Sequence, residues 1–282
     1  FSTDNELRRS AYNSFTKTLS RYNNTYAAIY ATEVKKQVAM SKLRGYASVT
    51  EMLLEPQKVT VEMYNRQLDI IFNQLAPYMR RFALIKKEQL GLEQMHFYDL
   101  KAPLDAAFNP PANYQSIQNV IIDALRILGD QYTDIIKRAF AERWIDYSDN
   151  VGKSTGAFCA SPYGVHSFIL ISYQESMRSA FTLAHELGHA GHFNIANRTQ
   201  RIFDTRPSAY FIEAPSTMNE ILLANHLMKS SDSNQMKRWV ILQLMGTYYH
   251  NFVTHLLEAE FQRRVYLHAE KGGSLTANTI NG

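Results

Sequence analysis

Apolar residues recur at three- and four-residue intervals along most of the 282-residue chain, which places them on one face of an α-helix. Residues 4–42 follow this pattern with few glycine or proline interruptions. A second long periodic segment covers residues 59–90, where Pro77 predicts a bend and Gly91 predicts the end of the helix. The pattern therefore predicts a helical first part of the chain.

The same periodicity returns after a proline-containing stretch, residues 101–113, which we interpret as a loop. Further helices are predicted at residues 114–128, 130–144, 177–196, 208–230 and 233–270. Between them, residues 154–160 and 166–172 lack helical spacing, are rich in β-branched or aromatic residues, and are bordered by glycines. The sequence thus predicts a mostly α-helical fold with one small β-sheet.

Composition and charge narrow the possible partners. Hydrophobic residues make up 45% of the chain and charged residues 20%, which is ordinary for a globular protein. The formal net charge is +4, but lysine and arginine form no long basic block, which argues against nucleic acid as a partner. The single cysteine, Cys159, favours a reducing compartment, and no apolar run approaches the roughly 20 residues that span a bilayer. We therefore expect a soluble, cytoplasmic protein with no membrane partner.

The candidate chemistry lies in one predicted helix, where residues 185–192 read His-Glu-Leu-Gly-His-Ala-Gly-His. His185 and His189, four positions apart, project from the same helix face and can bind one metal ion. Glu186 lies about 100° round the helix from His185, where its carboxylate can serve as a general base beside the metal. The pattern H-E-x-x-H therefore predicts a hydrolytic zinc site.

The same five-residue pattern also occurs by chance on the surface helices of many proteins. Here its neighbours Phe181, Leu183 and Leu187 are apolar, which predicts that the helix is buried. Two histidines and a glutamate in a buried helix need partners, and a metal ion provides them. Gly188 costs about 1 kcal/mol of helix stability relative to alanine, and we interpret it as allowing the close approach of another element.

The third metal ligand has to come from outside this helix motif. An extended pattern would need a histidine at position 195, but the residue there is Ile195. His192 lies near the metal-binding face, one turn further along, and is a candidate for a supporting or substrate-contacting role. In the next predicted helix, Glu213 and Glu220 are seven residues apart and share a face. One can bind the metal while the other holds a ligating imidazole, and spacing alone leaves both assignments open.

Together these motifs resemble the thimet oligopeptidase and oligoendopeptidase F family of zinc metallopeptidases, and the oligoendopeptidase F branch is the most similar. The stretches that carry the resemblance are His185-Glu-Leu-Gly-His-Ala-Gly-His192, Phe211-Ile-Glu-Ala-Pro-Ser-Thr217, Leu90-Gly-Leu92, Tyr98-Asp-Leu100, Trp144-Ile-Asp146 and residues 150–158. The resemblance covers essentially the whole chain. It implies a neurolysin-like, zincin-type helical fold, with zinc at the floor of a deep channel that admits short, unstructured peptides.

The resemblance also implies a role for each motif residue. His185, His189 and Glu213 would bind one Zn²⁺ per chain, Glu186 would be the catalytic acid/base, and Glu220 would support a ligating imidazole from behind. Residues 156–172 would form the small sheet at the substrate cleft and bind an extended peptide as an added strand. The residues expected to contact the substrate are Gly156, Ala157, Phe158, Tyr163, His166 and His192.

These expectations describe a zinc-dependent metalloendopeptidase that hydrolyses internal bonds of short oligopeptides. The alternative is a non-catalytic peptide-binding or structural zinc domain, which would not need an acid such as Glu186 beside an open metal position. Residues 1–150 are expected to form a helical part and residues 151–282 the zinc-binding core. Neither Phe1 nor Gly282 has the features of a natural terminus, so we expect a fragment of a longer chain whose catalytic core is incomplete at its C-terminal end.

Overall fold

The computed structural model describes residues 2–281 and divides the chain into two compact units. One unit combines Phe1–Ala106 with Thr247–Gly282, and the other is Ala107–Gly246. The functional division predicted at residue 150 is a different partition of the chain, and it stays a prediction. Across the described residues, no helix is long and apolar enough to cross a membrane.

The first unit consists of helices, most of which begin at a side chain that caps the free amides of the first turn. They are α1 (Asn5–Ser20), α2 (Asn23–Leu43), α3 (Val49–Leu54), α4 (Val61–Ile70), α5 (Ala76–Gln89), α11 (His255–Glu270) and α12 (Ala277–Asn281). Asp4 caps α1 by accepting a hydrogen bond from the Leu7 amide, and Thr60 caps α4 in the same way.

Three helices that the sequence predicts as continuous are interrupted in the structure. The predicted helix at residues 4–42 breaks between α1 and α2, and the bend predicted at Pro77 is a π-helical turn, Ile71–Leu75, just before that proline. A second π-helical turn, His250–Thr254, separates α10 (Asn234–Tyr249) from α11. Such turns commonly kink a helix without ending it.

The second unit contains the small sheet and the helices around it. These helices are α6 (Tyr114–Leu125), α7 (Asp130–Ala141), α8 (Met177–Thr199), α9 (Ala214–Ser230) and most of α10. The strands are β1 (Ile145–Asp146), β2 (Ala157–Ala160) and β3 (Phe168–Ile171), in the order β1-β3-β2. β3 pairs in parallel with β1 and antiparallel with β2, so β2 is an edge strand.

The two predicted strands and the mostly helical fold are confirmed. β1 was missed because two residues are too few to show an alternating pattern. The core of this unit forms where α8 packs against α9, the sheet and neighbouring helices, and its largest fully buried side chains include Trp144, Ile169, Phe181, Leu183, Leu187 and Leu223. Because α8 is buried on several faces, packing holds the histidine motif that it carries in place.

Candidate metal centre

Helices α8 and α9 supply every residue of the candidate site. Ser176 caps α8 by accepting a hydrogen bond from the Ser179 amide, and the helix then continues for 23 residues through both histidines. Helix α9 begins at Ala214, six residues later than predicted, with Glu213 at its N-cap position and Pro215 in its first turn. Proline is favoured there because its missing amide hydrogen has no partner in a helix start. Glu213 therefore stands at the entrance of the helix rather than inside it.

Gly188 allows the start of α9 to pack directly on α8. A Cβ atom at this position would lie 2.5 Å from Ser216 Cα and 2.7 Å from the Pro215 carbonyl oxygen. Both are backbone atoms, which cannot rotate away as a flexible side chain could. The interpretation of Gly188 as a site of close approach is confirmed, and this contact brings Glu213 to the histidines.

Two imidazoles and one carboxylate converge on a common point. The Oε2 atom of Glu213 lies 3.2 Å from His185 Nε2 and 3.3 Å from His189 Nε2. The two rings are 5.0 Å apart between centroids and nearly perpendicular, with an angle of 82° between their planes. Among the described residues, these three offer ligand atoms that all lie within 4.8 Å of one another.

This donor set fits zinc. Ligand atoms held 2.0–2.1 Å from a tetrahedral zinc ion lie about 3.3 Å from each other, and the separations between Glu213 and the two histidines have this value. Imidazole nitrogens with one carboxylate oxygen are ligands that zinc prefers. The Glu213 side chain is also 61% exposed, so one side of the site is open.

Glu220 fixes the orientation of the first imidazole from behind. His185 Nδ1 donates a hydrogen bond of 2.7 Å to Glu220 Oε1. A proton on Nδ1 leaves the lone pair of a neutral imidazole on Nε2, the atom that faces Glu213. Glu213 thus lies with both histidines in one cluster, whereas Glu220 contacts the other ring nitrogen of His185; their roles as metal ligand and supporting carboxylate stay predictions.

Ser216 orients the carboxylate of Glu213. Its fully buried hydroxyl lies 2.8 Å from Glu213 Oε2 and 2.9 Å from the Glu213 carbonyl oxygen, and can donate to either. The oxygen it reaches is the one that faces both histidines. Ser216 therefore restrains the ligand oxygen in addition to completing the first turn of α9.

Glu186 is buried beside the metal position with only 6% of its surface exposed. Burial raises its pKa to about 6, and the nearby carboxylates of Glu213 and Glu220 add to this effect while His185 opposes it. A carboxyl group with a raised pKa in a cleft is typical of an acid/base residue.

The pKa values of His185 and His189 shift in opposite directions in this environment. Burial lowers the pKa of His189, and the Glu213 charge opposes that shift. Burial also disfavours the charged form of His185, but its hydrogen bond to Glu220 and the surrounding carboxylates outweigh burial and raise its pKa. At neutral pH His189 is therefore neutral and has a lone pair available for a metal ion.

The whole sequence matches a known protein family. The profile of peptidase family M3 matches residues 2–281. The chain belongs to peptidase family M3. Oligopeptidase PepF of Bacillus subtilis is 28% identical over 279 residues, which cover 99% of the chain and 42% of that relative. The chain thus spans less than half the length of this relative.

Solved M3-like structures have the same fold. A protein from Chlamydophila abortus assigned as a peptidase matches with a TM-score of 0.87 and 27% identity, over 98% of the chain and 46% of that protein. Oligoendopeptidase-F from Enterococcus faecium matches with a TM-score of 0.71 and 22% identity, over 99% of the chain and 42% of that protein. The resemblance predicted from the two motifs is confirmed.

Several of the residues predicted to contact substrate lie in the edge strand β2 or beside it in the chain. Gly156, with φ at +94°, leads into β2, which carries Ala157 and Phe158. The Tyr163 hydroxyl donates a 3.3 Å hydrogen bond to the Gln200 carbonyl at the end of α8. Their roles in binding substrate stay predictions.

Two predicted substrate contacts have aromatic neighbours in the structure. The His166 ring stacks on Trp144 at 5.2 Å, and its Nδ1 lies 2.7 Å from the Ser167 carbonyl oxygen. His192 lies one turn beyond His189, with its ring centroid 6.0 Å from that of Phe211. These packed positions suit a supporting role, and substrate contact by either residue stays a prediction.

Sequence reasoning missed two polar residues of α9. Ser216 has a visible signal, because it follows the N-cap residue Glu213 by three positions and serine is common near helix starts. Asn219 has a weaker one, since an asparagine inside an apolar helix has to find a partner once it is buried. Its partners come from α7 and α8, which no local pattern could identify.

Proposed function

We propose that this M3-family chain carries the catalytic centre of a zinc-dependent metalloendopeptidase that hydrolyses internal bonds of short oligopeptides. The observation that carries the proposal is the convergence of His185 Nε2, His189 Nε2 and Glu213 Oε2 beside the buried carboxylate of Glu186. A structural zinc site is closed by protein ligands, whereas this one has three ligands and an open side.

His185, His189 and Glu213 would hold a single zinc ion. When bound, zinc supplies Lewis acidity, which polarises a substrate carbonyl and makes a water molecule more acidic. Glu220 keeps His185 in the tautomer that presents Nε2, and Ser216 keeps one Glu213 oxygen turned toward the histidines. The chain thus supplies both the ligands and the groups that orient them.

Glu186 would move the proton during hydrolysis. Burial favours its protonated form, which makes the carboxylate a better base toward the attacking water. Attack by the water oxygen on the scissile carbonyl carbon forms the new C–O bond, and the C–N bond then breaks. The proton held on Glu186 goes to the leaving amine, which regenerates the carboxylate.

The free edge of β2 is suited to an extended peptide backbone. The Ser172 amide donates to the Gly156 carbonyl, and hydrogen-bonded pairs alternate along an antiparallel ladder. Phe158 and Ala160 therefore direct their backbone groups to β3, whereas Ala157 and Cys159 direct theirs to the open edge. A peptide can add here as a further strand only where it is unfolded, which supports short oligopeptides as substrates.

The experiment that tests this function compares the zinc-loaded intact protein, of which this chain is a part, with its Glu186→Gln variant. The substitution keeps the size of the side chain and removes its basicity, so we expect unchanged zinc content and a loss of kcat/KM of about 10²–10⁴-fold. Cleavage is followed by mass spectrometry on a mixed pool of short peptides, which also shows whether internal bonds are cut. Glu88→Gln, an exposed carboxylate on α5, is the matched control and should leave the rate unchanged.

Two results would contradict the proposal. Cleavage by Glu186→Gln at the parental rate would remove Glu186 from the mechanism. An intact protein that contains this chain and binds zinc but cleaves no peptide in the pool would favour the alternative, a non-catalytic peptide-binding or structural zinc domain.

A further inference from the structure

A buried amide joins helices α8 and α9 directly behind the metal ligands. Asn219 is only 1% exposed, and its Nδ2 atom donates a 3.1 Å hydrogen bond to the Ala184 carbonyl. Tyr132 of α7 donates its hydroxyl to Asn219 Oδ1, also at 3.1 Å. Because the Ala184 carbonyl can only accept, the amide nitrogen must face α8, which leaves Oδ1 for the tyrosine.

This amide lies one residue from the link between Glu220 and His185. Asn219 directly precedes Glu220 on α9, and Ala184 directly precedes His185 on α8. The two helices are therefore joined by adjacent polar links, one between Asn219 and Ala184 and one of 2.7 Å between His185 and Glu220. One residue of a helix rises about 1.5 Å, so a slip of α9 along α8 by that amount would strain both links together.

Tyr132 lies on a third helix, α7, and restrains the Asn219 amide from there. Its ring packs on the backbone of α8 at Gly191, where a Cβ atom would lie 2.4 Å from the ring atom Cε2. Burial raises the pKa of Tyr132 to about 12, so the hydroxyl stays protonated and can donate at neutral pH. Asn219 is thus fixed in one orientation by partners on two different helices.

We propose that Asn219, held by Tyr132, is a positioning residue for metal binding. It sets the register of α9 on α8, which places Glu220 against His185 Nδ1 and keeps His185 Nε2 turned toward the metal position. Neither Asn219 nor Tyr132 touches the metal or the substrate. The inference rests on the proposed function because it assigns a role toward the same zinc ion.

The test measures zinc affinity in a competition titration with a fluorescent chelator, at a temperature where every variant is folded. Asn219→Leu keeps the branched shape and the number of heavy side-chain atoms, with larger methyl groups, and removes both hydrogen bonds. Outer partners of metal ligands typically contribute about 10–100-fold to affinity, so we expect the zinc Kd of Asn219→Leu to rise by about 10-fold. Tyr132→Phe removes the hydroxyl alone and should raise the zinc Kd by a smaller factor.

Tyr173→Phe is the matched control. Tyr173 is a buried tyrosine of the same unit, whereas Tyr132 is partly buried, and the Tyr173 hydroxyl donates to the Ala112 carbonyl rather than to the α8–α9 contact. Its loss should lower the melting temperature without changing the zinc Kd. A purely structural role for Asn219 and Tyr132 would give this same result in their variants.

The outcomes separate this inference from the proposed function. A parental chain that binds no zinc would overturn both. If the parental chain binds zinc and both variants bind it as tightly as Tyr173→Phe, the inference is wrong and the proposed function stands. If Asn219→Leu does not fold, Tyr132→Phe decides, because it removes only one oxygen atom.

Discussion

Glu186 is a buried carboxylate whose oxygens accept no hydrogen bond from any residue that the structure describes. Burial disfavours the charged form of this carboxylate and raises its pKa, although His185 opposes the shift. The cost of burial is understandable if the carboxylate has to stay free to take and return a proton. This free carboxylate distinguishes Glu186 from the other carboxylates of the site.

A second set of buried charged groups, in the first unit, has hydrogen-bond partners within the protein. The Arg8 guanidinium donates to Asp99 at 2.7 Å, and the Lys86 ammonium donates to the Leu100 carbonyl at 2.5 Å. Burial lowers the pKa of Lys86 to about 8, and the nearby Arg8 charge lowers it further while Asp99 opposes the shift. These charges hold the residue 96–100 segment in place and have no open side for a ligand.

The shifted pKa of Lys86 predicts a pH-dependent stability. Between pH 8 and about 10.4 the folded lysine is mostly neutral while the unfolded one is still charged. The unfolded state then binds more protons, so the free energy of unfolding rises with pH in this window. Lys86→Met removes this contribution, and we expect the advantage of the parental chain over the variant to grow from pH 7.5 to pH 9.5.

Urea denaturation of both chains at these pH values provides the measurement. Tyrosines also titrate at high pH, but they do so in both chains. The difference in the free energy of unfolding between the two chains therefore reports on Lys86. A difference that stays constant over this range would show that Lys86 has an ordinary pKa in the folded chain.

At the scale of elements, the site depends on how closely α9 approaches α8. Gly188→Ala places a methyl group against the Ser216 backbone, where the separation would be 2.5 Å. Although alanine favours a helix by about 1 kcal/mol over glycine, overpacking of this kind typically costs about 1–3 kcal/mol. We expect a lower melting temperature and weaker zinc binding, because the clash displaces Glu213 from the histidines.

Gly246→Ala is the control for the same substitution. Gly246 is also a helical glycine, in α10, and nothing lies within 4 Å of an added Cβ. This variant should keep the parental zinc affinity and gain up to about 1 kcal/mol of stability. Parental zinc affinity in Gly188→Ala, measured by isothermal titration calorimetry, would contradict the role given to the close approach.

The elements that could be predicted from the sequence are those with a strong local signal. Helices with many apolar positions at helical spacing, such as α8, were predicted almost to their ends. The start of α9 was misplaced although Pro215 marked it, since proline fits the first turn and not a later one. The break between α1 and α2 has no glycine or proline signal, so tertiary packing has to decide it.

The residues of the candidate site also fall into two groups, those with a signal in the sequence and those without one. The histidine pair and Glu186 follow from spacing on one helix, and the order of Glu213 and Glu220 came from the family resemblance rather than from geometry. Ser216 and Asn219 act through contacts between helices that are distant in sequence. Contacts of that kind require the fold, which explains why sequence reasoning proposed Glu213 and Glu220 but missed Ser216 and Asn219.

At the scale of the whole molecule, all ligands and supporting residues of the site belong to one compact unit, Ala107–Gly246. The chain nevertheless covers 42% of its relative PepF, so the activity of the whole protein remains a proposal. Zinc binding can be measured on this chain itself. A ligand that binds the folded state alone also stabilises it, by about 2.7 kcal/mol at 100 times the Kd.

The most direct test of the central claim is the zinc content of three chains after dialysis against a defined free-zinc concentration. We predict a single zinc ion per parental chain, no zinc in Glu213→Ala, and zinc bound with about 10–100-fold lower affinity in Glu220→Ala. Glu213→Ala removes a ligand, whereas Glu220→Ala removes only the partner that orients His185. Full zinc content in Glu213→Ala with loss of zinc in Glu220→Ala would contradict the account.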